Sequence, residues 1–219
     1  MLWLVAFLSV PTMGWSHRLD ECLQASFISV GPGRIDVEVS LTPGVEMVGW
    51  ILPSIDPDHD GTVSAAEGAA YAERVRSGLS LKVDARELPL WCSGSRFPGV
   101  AEMAEGLGVV HLQFSAAVAG LVPGIHRLSF QNHYLTNYSV YQANALVPGS
   151  RAIGIVRQER NLLQTRLEFD YTLAADIDPT VALPGRSTGG WPGRLAIGVG
   201  ITLLVWWAFR SRTARLRRR

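Results

Sequence analysis

A mainly β fold is what this 219-residue sequence predicts. Three observations carry the prediction. Short runs of alternating apolar and polar residues recur along the chain, as half-buried strands require. Their close spacing favours an antiparallel two-sheet sandwich over a βαβ arrangement. A hydrophobic share of 47% against 18% charged residues supplies a real core and excludes a disordered chain or a coiled coil.

In chain order, residues 1–16 come first. The apolar stretch over 2–10, then Pro11 and the small residues Gly14 and Ser16, reads as an export signal cleaved before His17. Residues 17–173 follow as an exported domain. Alternation over 23–30, a turn at Gly31-Pro32-Gly33, and alternation over 35–41 with Ile35, Val37, Val39 and Leu41 on one face predict a hairpin. Further strands are expected at 79–83, 88–92, 109–114, 126–130, 139–146, 152–157 and 163–171, together an immunoglobulin-like antiparallel β-sandwich. The segment 46–78 breaks the β pattern. Residues 46–55 and 65–79 have helical composition, the second behind the N-cap Ser64, and Pro53 is expected to kink or end the first helix early.

After residue 173, Pro179, Pro184, Gly185, Gly189 and Gly190 mark 174–190 as a linker. Residues 191–209 carry a single charge, Arg194, with Trp191 at one side and Trp206 and Trp207 at the other, which predicts a transmembrane helix with an aromatic belt. Six arginines in 210–219 then predict a basic cytoplasmic tail. The expected localisation is the inner membrane, single-pass, with the N-terminal domain extracytoplasmic (periplasmic). Over 17–189 the acids outnumber Lys and Arg by six, so nucleic acid is excluded as a partner of the domain. The lipid bilayer is the partner the C-terminal helix implies, and a membrane-protein partner is open.

One motif carries chemistry. Asp56-Pro-Asp58-His-Asp60-Gly61-Thr62-Val63-Ser64-Ala-Ala-Glu67 meets the twelve-residue EF-hand pattern at every specified position. Ca²⁺ takes about seven oxygens at roughly 2.3–2.6 Å, and a loop winding round it turns alternate residues inward. The expected ligands are therefore Asp56, Asp58, Asp60, the Thr62 carbonyl, Ser64 through a water, and Glu67 with two oxygens, while Gly61 allows the sharp bend. A polar turn before a capped helix would account for Ser64 and Glu67 as a capping box, but leaves the three aspartates and Gly61 unexplained. No second loop is present to pair with Val63, since Asp176-Ile-Asp178-Pro lacks both the glycine and the distal glutamate. A lone loop fits the weak, extracellular end of the calcium range, about 10⁻⁴ to 10⁻³ M, and a structural calcium.

Beyond the loop, His17-Arg-Leu-Asp-Glu-Cys-Leu-Gln-Ala25, Leu41-Thr-Pro-Gly44, the helix over 65–75 and Tyr138-Ser-Val-Tyr-Gln-Ala-Asn-Ala-Leu-Val-Pro148 carry a resemblance. Over residues 16–173 the chain resembles EF-hand-bearing bacterial exported domains similar to the N-terminal extracytoplasmic region of hydrogenase/urease-accessory nickel-permease-type membrane proteins. The resemblance implies an exported calcium-binding module. A single expected span in place of a multi-helix bundle means that transport is not implied.

Cys22 and Cys92 form one pair in an exported domain, so a disulfide is expected between them. His17, if freed as an N-terminus, could chelate Ni²⁺ or Cu²⁺ through its amine and imidazole, which makes accessory metal handling near a transporter the alternative function. His111, His126 and His133 are scattered over expected strands, and Glu159 and Glu168 have no evident acidic partner. No nucleophile motif or phosphate loop occurs, so the chain is read as not an enzyme, with a cryptic hydrolase the least favoured function.

Overall fold

Alternation along the chain becomes two five-stranded sheets in the computed structural model, which describes residues 20–146 and 150–175. The expected signal, His17, all but the first residues of the linker, the apolar segment 191–209 and the basic tail lie outside the described residues. The first sheet runs β5 (Trp91–Arg96), β6 (Val110–Ala117), β2 (Arg34–Pro43), β1 (Cys22–Gly31), β8 (Ser139–Ala145). The second runs β4 (Arg86–Glu87), β3 (Leu79–Val83), β7 (Gly124–Asn132), β10 (Arg166–Leu173), β9 (Ile153–Arg160). Ile28, Val37 and Phe114 from the first sheet and Leu128, Phe130 and Phe169 from the second belong to one buried core. Each such side chain contributes about 1.5–3 kcal/mol by leaving water.

β1 and β2 form the expected hairpin, paired from Cys22 opposite Pro43 to Gly31 opposite Arg34, with Gly33 at φ 71° in the turn. The sheets are not wholly antiparallel, however. β8 lies parallel to β1, Cys22 opposite Ser139 through to Ile28 opposite Ala145. The reason is the connection: β7 belongs to the other sheet, and the chain crosses over residues 133–138 to re-enter the first sheet at the end where β1 starts. The expected strand at 88–92 is also displaced. Leu88 and Leu90 are buried like strand residues but precede β5, which begins at Trp91.

Between β2 and β3 come α1 (Val45–Ile55) and α2 (Ala65–Arg76). α1 buries Met47, Val48, Ile51 and Ile55 along one face. It does not end at Pro53. That residue lies on the exposed side between two buried isoleucines, the Ser54 hydroxyl donates to the Ile51 carbonyl at 2.6 Å, and the Asp56 N–H donates to the Leu52 carbonyl at 2.9 Å. One lost N–H is outweighed by a last turn that is otherwise closed and anchored. α2 stops at Arg76, short of residue 79. A side chain at Gly78 would meet the Tyr134 backbone at 2.9 Å, so the chain must turn where no Cβ intrudes. A short helix, α3 (Val100–Ala104), follows β5 and lies outside every expected element.

The expected Cys22–Cys92 bridge is not formed: both thiols are free. Across the first sheet β5 and β1 are three strand spacings apart, about 14 Å. Along the strands Cys92 is level with Phe114, Val37 and Ile28, six residues from Cys22. A disulfide tolerates a Cα separation of at most about 7 Å. Burial pushes the Cys22 thiol up to about 12, whereas Cys92 is exposed. Thiol labelling of the folded chain should therefore modify Cys92 alone, and labelling after denaturation without reductant should modify both. Protection of both after denaturation would show a bridge this register forbids.

Candidate metal centre

The loop between α1 and α2 brings three aspartates together. One carboxylate oxygen each from Asp56, Asp58 and Asp60 lies within 4.8 Å of the others, and among the described residues this is the one such cluster of potential metal-binding side chains. Its conformation follows from the sequence. His59 at φ 59° and Gly61 at φ 83° bend the backbone, and backbone N–H groups turn inward onto the carboxylates. Gly61 N–H donates to Asp56 Oδ2 at 3.2 Å and Asp60 N–H to Asp58 Oδ1 at 3.3 Å. Thr62 donates both its N–H, at 2.8 Å, and its hydroxyl, at 2.7 Å, to Asp60 Oδ1. Those two bonds hold the Asp60 carboxyl below the usual carboxylate range, so it is ionised at neutral pH.

Ser64 caps α2 as expected. Its hydroxyl accepts from Glu67 N–H at 3.3 Å while Glu67 Oε2 accepts from Ser64 N–H at 2.8 Å, a complete capping box. Glu67 is thus fixed by one oxygen. Its other oxygen, Oε1, is buried and accepts no hydrogen bond, and the same holds for Asp56 Oδ1, whose residue is 2% exposed. Buried carboxylate oxygens without donors are costly, and a cation is the partner that would relieve them. Glu67 is not among the three oxygens within 4.8 Å of one another. Ligands on opposite sides of a large cation lie up to about 5 Å apart, so a glutamate facing the triad across an ion need not be. The residues present fit a metal ion bound by oxygen.

Both flanks of the loop are tied to the β core. Val63 packs against the core cluster from within the loop. In α2, Tyr71 is buried and meets Phe97 and Tyr134 edge-on, with ring centroids 6.0 and 6.2 Å away. In α1, the exposed Trp50 stacks on Tyr138 at 6.5 Å. Residues 133–138 therefore touch both helices. Their hold on the sheets is a buried polar node that sequence reasoning missed: Gln24 Nε2 donates to the Tyr134 carbonyl and to Ser139 Oγ, both at 2.7 Å, and Gln24 Oε1 accepts from Asn132 Nδ2 at 2.9 Å.

The other candidates disperse. His111 bonds to Ser40 Oγ at 3.1 Å, His133 to Gln131 Oε1 at 3.1 Å, and His126 lies at the far end of the second sheet. Glu159 and Glu168 do have partners: they stand opposite each other on β9 and β10, ion-paired to Arg157 and Arg166 respectively. The depression beside them encloses about 10 Å³, space for a water at most, so this pair has no room for a substrate.

His126 carries a pH dependence. Its Nδ1 lies 2.6 Å from Asp84 Oδ2 and its Nε2 2.7 Å from the Val122 carbonyl, and two acceptors are both satisfied only by the doubly protonated ring. The Asp84 carboxylate, foremost, raises its pKa above the ordinary histidine value. A raised folded pKa stabilises fully below the unfolded value of about 6.5 and stops doing so as pH climbs through the folded one. The urea midpoint should therefore fall between pH 6 and pH 8.5, and H126Q should flatten that change. An unchanged slope in H126Q would exclude this residue as its source.

No family model, curated protein or solved structure matches the chain.

Proposed function

We propose that the chain is a membrane-anchored extracytoplasmic calcium-binding protein, in which calcium stiffens the end of the β domain that carries α1 and α2 or supports contact with another membrane protein. The observation that carries the reading is the pair of buried, donor-less oxygens, Asp56 Oδ1 and Glu67 Oε1, at the first and twelfth positions of the loop. Hard oxygen donors without nitrogen or sulfur favour Ca²⁺ over Ni²⁺ or Cu²⁺. The finer fold reading is an immunoglobulin-like sandwich with the helix-loop-helix inserted after β2, supported by two sheets sharing one core. The anchoring part rests on the apolar run 191–209 and the six arginines behind it. The reading is that of a binding protein, not an enzyme. The same loop supports the likeness to the exported domain of nickel-permease-type proteins.

Accessory handling of nickel or copper through His17 is the competing reading. Calorimetric titration with Ca²⁺, Ni²⁺ and Cu²⁺ separates the two. One calcium site in the range of about 10⁻⁴ to 10⁻³ M with no response to nickel or copper is expected. Tight nickel or copper binding that disappears in H17A would favour the alternative. For topology, phosphatase fused after Leu173 should be active and phosphatase fused after Arg219 inactive.

A further inference from the structure

The end of the β domain opposite the metal loop carries an unexpected surface. Residues 116–125, Ala-Ala-Val-Ala-Gly-Leu-Val-Pro-Gly-Ile, contain no charged or hydrogen-bonding side chain, yet most of the turn from β6 to β7 faces solvent. Val122 is 68% and Ile125 69% exposed. A floppy apolar loop would be unremarkable, but this one is braced. Val118 and Leu121 pack inward against the core. Val118 N–H donates to the Gly33 carbonyl at 2.9 Å, Arg86 donates to the Ala119 carbonyl at 2.9 Å, and His126 holds the Val122 carbonyl. Three backbone groups of the turn are thus bonded inside the domain while Val122 and Ile125 are held outward. That is the arrangement a low-dielectric surface requires of any backbone brought against it.

Two further facts identify the occupant. The first is where the described chain ends. Leu173, the last residue of β10, pairs with Gly124 in this same turn, and the apolar run 191–209 follows after a short linker. Residues 176–190 extended reach at most about 50 Å, so the turn stays within reach of any bilayer that holds residues 191–209. The second is charge. Arg86 holds the turn, Arg151 precedes the Ala152 carbonyl that accepts from Ala174 N–H, and Arg34, opposite Ala117, is ion-paired to Asp36, so of the three exposed arginines at this end Arg86 and Arg151 are the ones not spent on Asp36. Of the acids beside them, Asp36 and Asp84 are engaged by Arg34 and by His126, while Glu87, next to Arg86, is exposed and stands opposite Lys82. The aspartate triad lies at the other end, beyond strands of eight to ten residues, about 30 Å away.

We propose that the turn between β6 and β7, with Val122 and Ile125 at its surface and Arg34, Arg86 and Arg151 around it, seats on the anionic surface of the bilayer. The domain then stands with the β6–β7 turn on the lipid and its acidic metal loop directed away from a surface that repels it. Apolar contact supplies the anchoring and arginine–phosphate contact the lipid preference. This inference rests on the anchoring reading above and adds to it an orientation that anchoring alone does not give.

The test uses the full chain, with Cys92→Ser removing the accessible thiol, reconstituted in nanodiscs of phosphatidylcholine and phosphatidylglycerol. An environment-sensitive fluorophore is placed at Val122→Cys or Ile125→Cys, and for reference at Leu162→Cys, which lies at the opposite end and is 97% exposed. Lipids carrying a spin-label quencher should quench the probe at 122 and at 125 severalfold and leave the probe at 162 unaffected. Quenching should weaken in discs of phosphatidylcholine alone, and in R34Q/R86Q/R151Q. A chain that stays with the discs through an alkaline wash but shows no quenching at 122 or 125, or equal quenching at 162, overturns the seating and leaves the anchor intact. Quenching that is the same in neutral and anionic discs overturns the lipid preference. A chain that the wash strips from the discs overturns the anchoring reading, and the seating with it.

Discussion

Replacing Asp56 by Ala, or Glu67 by Gln, is expected to abolish calcium binding while leaving the β domain folded. Asp56 contributes the most buried carboxylate of the loop and one of its two donor-less oxygens. Removing it takes away a full charge and a proposed ligand from a site for which weak affinity is expected, so calorimetric heat should vanish at millimolar calcium. E67Q is the sharper probe. The amide keeps an oxygen for the Ser64 N–H and so retains the capping box, but it replaces the charged, buried Oε1 by a neutral group. Helix capping and metal binding therefore separate in one variant. Unfolding without calcium should be nearly unchanged in E67Q, and the stabilisation that calcium adds should be gone. Binding as tight as in the parent, in either variant, would falsify the EF-hand assignment. Without a cation the triad is mutually repulsive, so calcium should also protect residues 56–75 from proteolysis, and equal cleavage with calcium and with chelator would count against it.

What the sequence disclosed was local, and what it hid was the result of distant pairing. The loop was legible because Asp56, Asp58, Asp60, Gly61 and Glu67 fall within twelve residues and their spacing is itself the motif. The β1–β2 hairpin was legible because Ile35, Val37, Val39 and Leu41 alternate and all four are buried. In β1 the alternation misleads: Cys22, Gln24 and Ser26 point inward while Leu23 is partly exposed on the outside. A period of two cannot say which phase is the core when the buried phase is polar. Leu88 and Leu90 imitate a strand because an irregular segment can also bury every second residue. The parallel placement of β8 and the separation of Cys22 from Cys92 are properties of sheet order, which no window of residues contains. Pro53 fails to end α1 for the converse reason, since burial of Ile51 and Ile55 on either side outweighs one missing hydrogen bond.

The polar phase of β1 leads to the other large effect. Gln24 is fully buried, and its amide is the junction between the sheets and the segment 133–138 that braces both helices of the metal loop. Gln24→Leu is nearly isosteric but strips the junction of donors and acceptor at once. Asn132 Nδ2 loses its acceptor, Ser139 Oγ loses a donor, and the Tyr134 carbonyl keeps only the Tyr141 hydroxyl at 2.6 Å. With about 1–3 kcal/mol for each buried group left unsatisfied, Q24L should cost about 3 kcal/mol, a large fraction of the stability of a domain this size. Gln24→Glu distinguishes lost hydrogen bonds from lost packing. Its second oxygen would face the Tyr134 carbonyl, acceptor against acceptor, unless the carboxyl is protonated, so Q24E should be far less stable at pH 8 than at pH 5. Because Tyr134 meets Tyr71 of α2 and Tyr138 meets Trp50 of α1, both variants should also weaken calcium binding severalfold without touching a ligand. Full stability in Q24L would mean that the junction is ornamental. Full stability loss with calcium affinity intact would mean instead that the loop holds its geometry without the brace of residues 133–138.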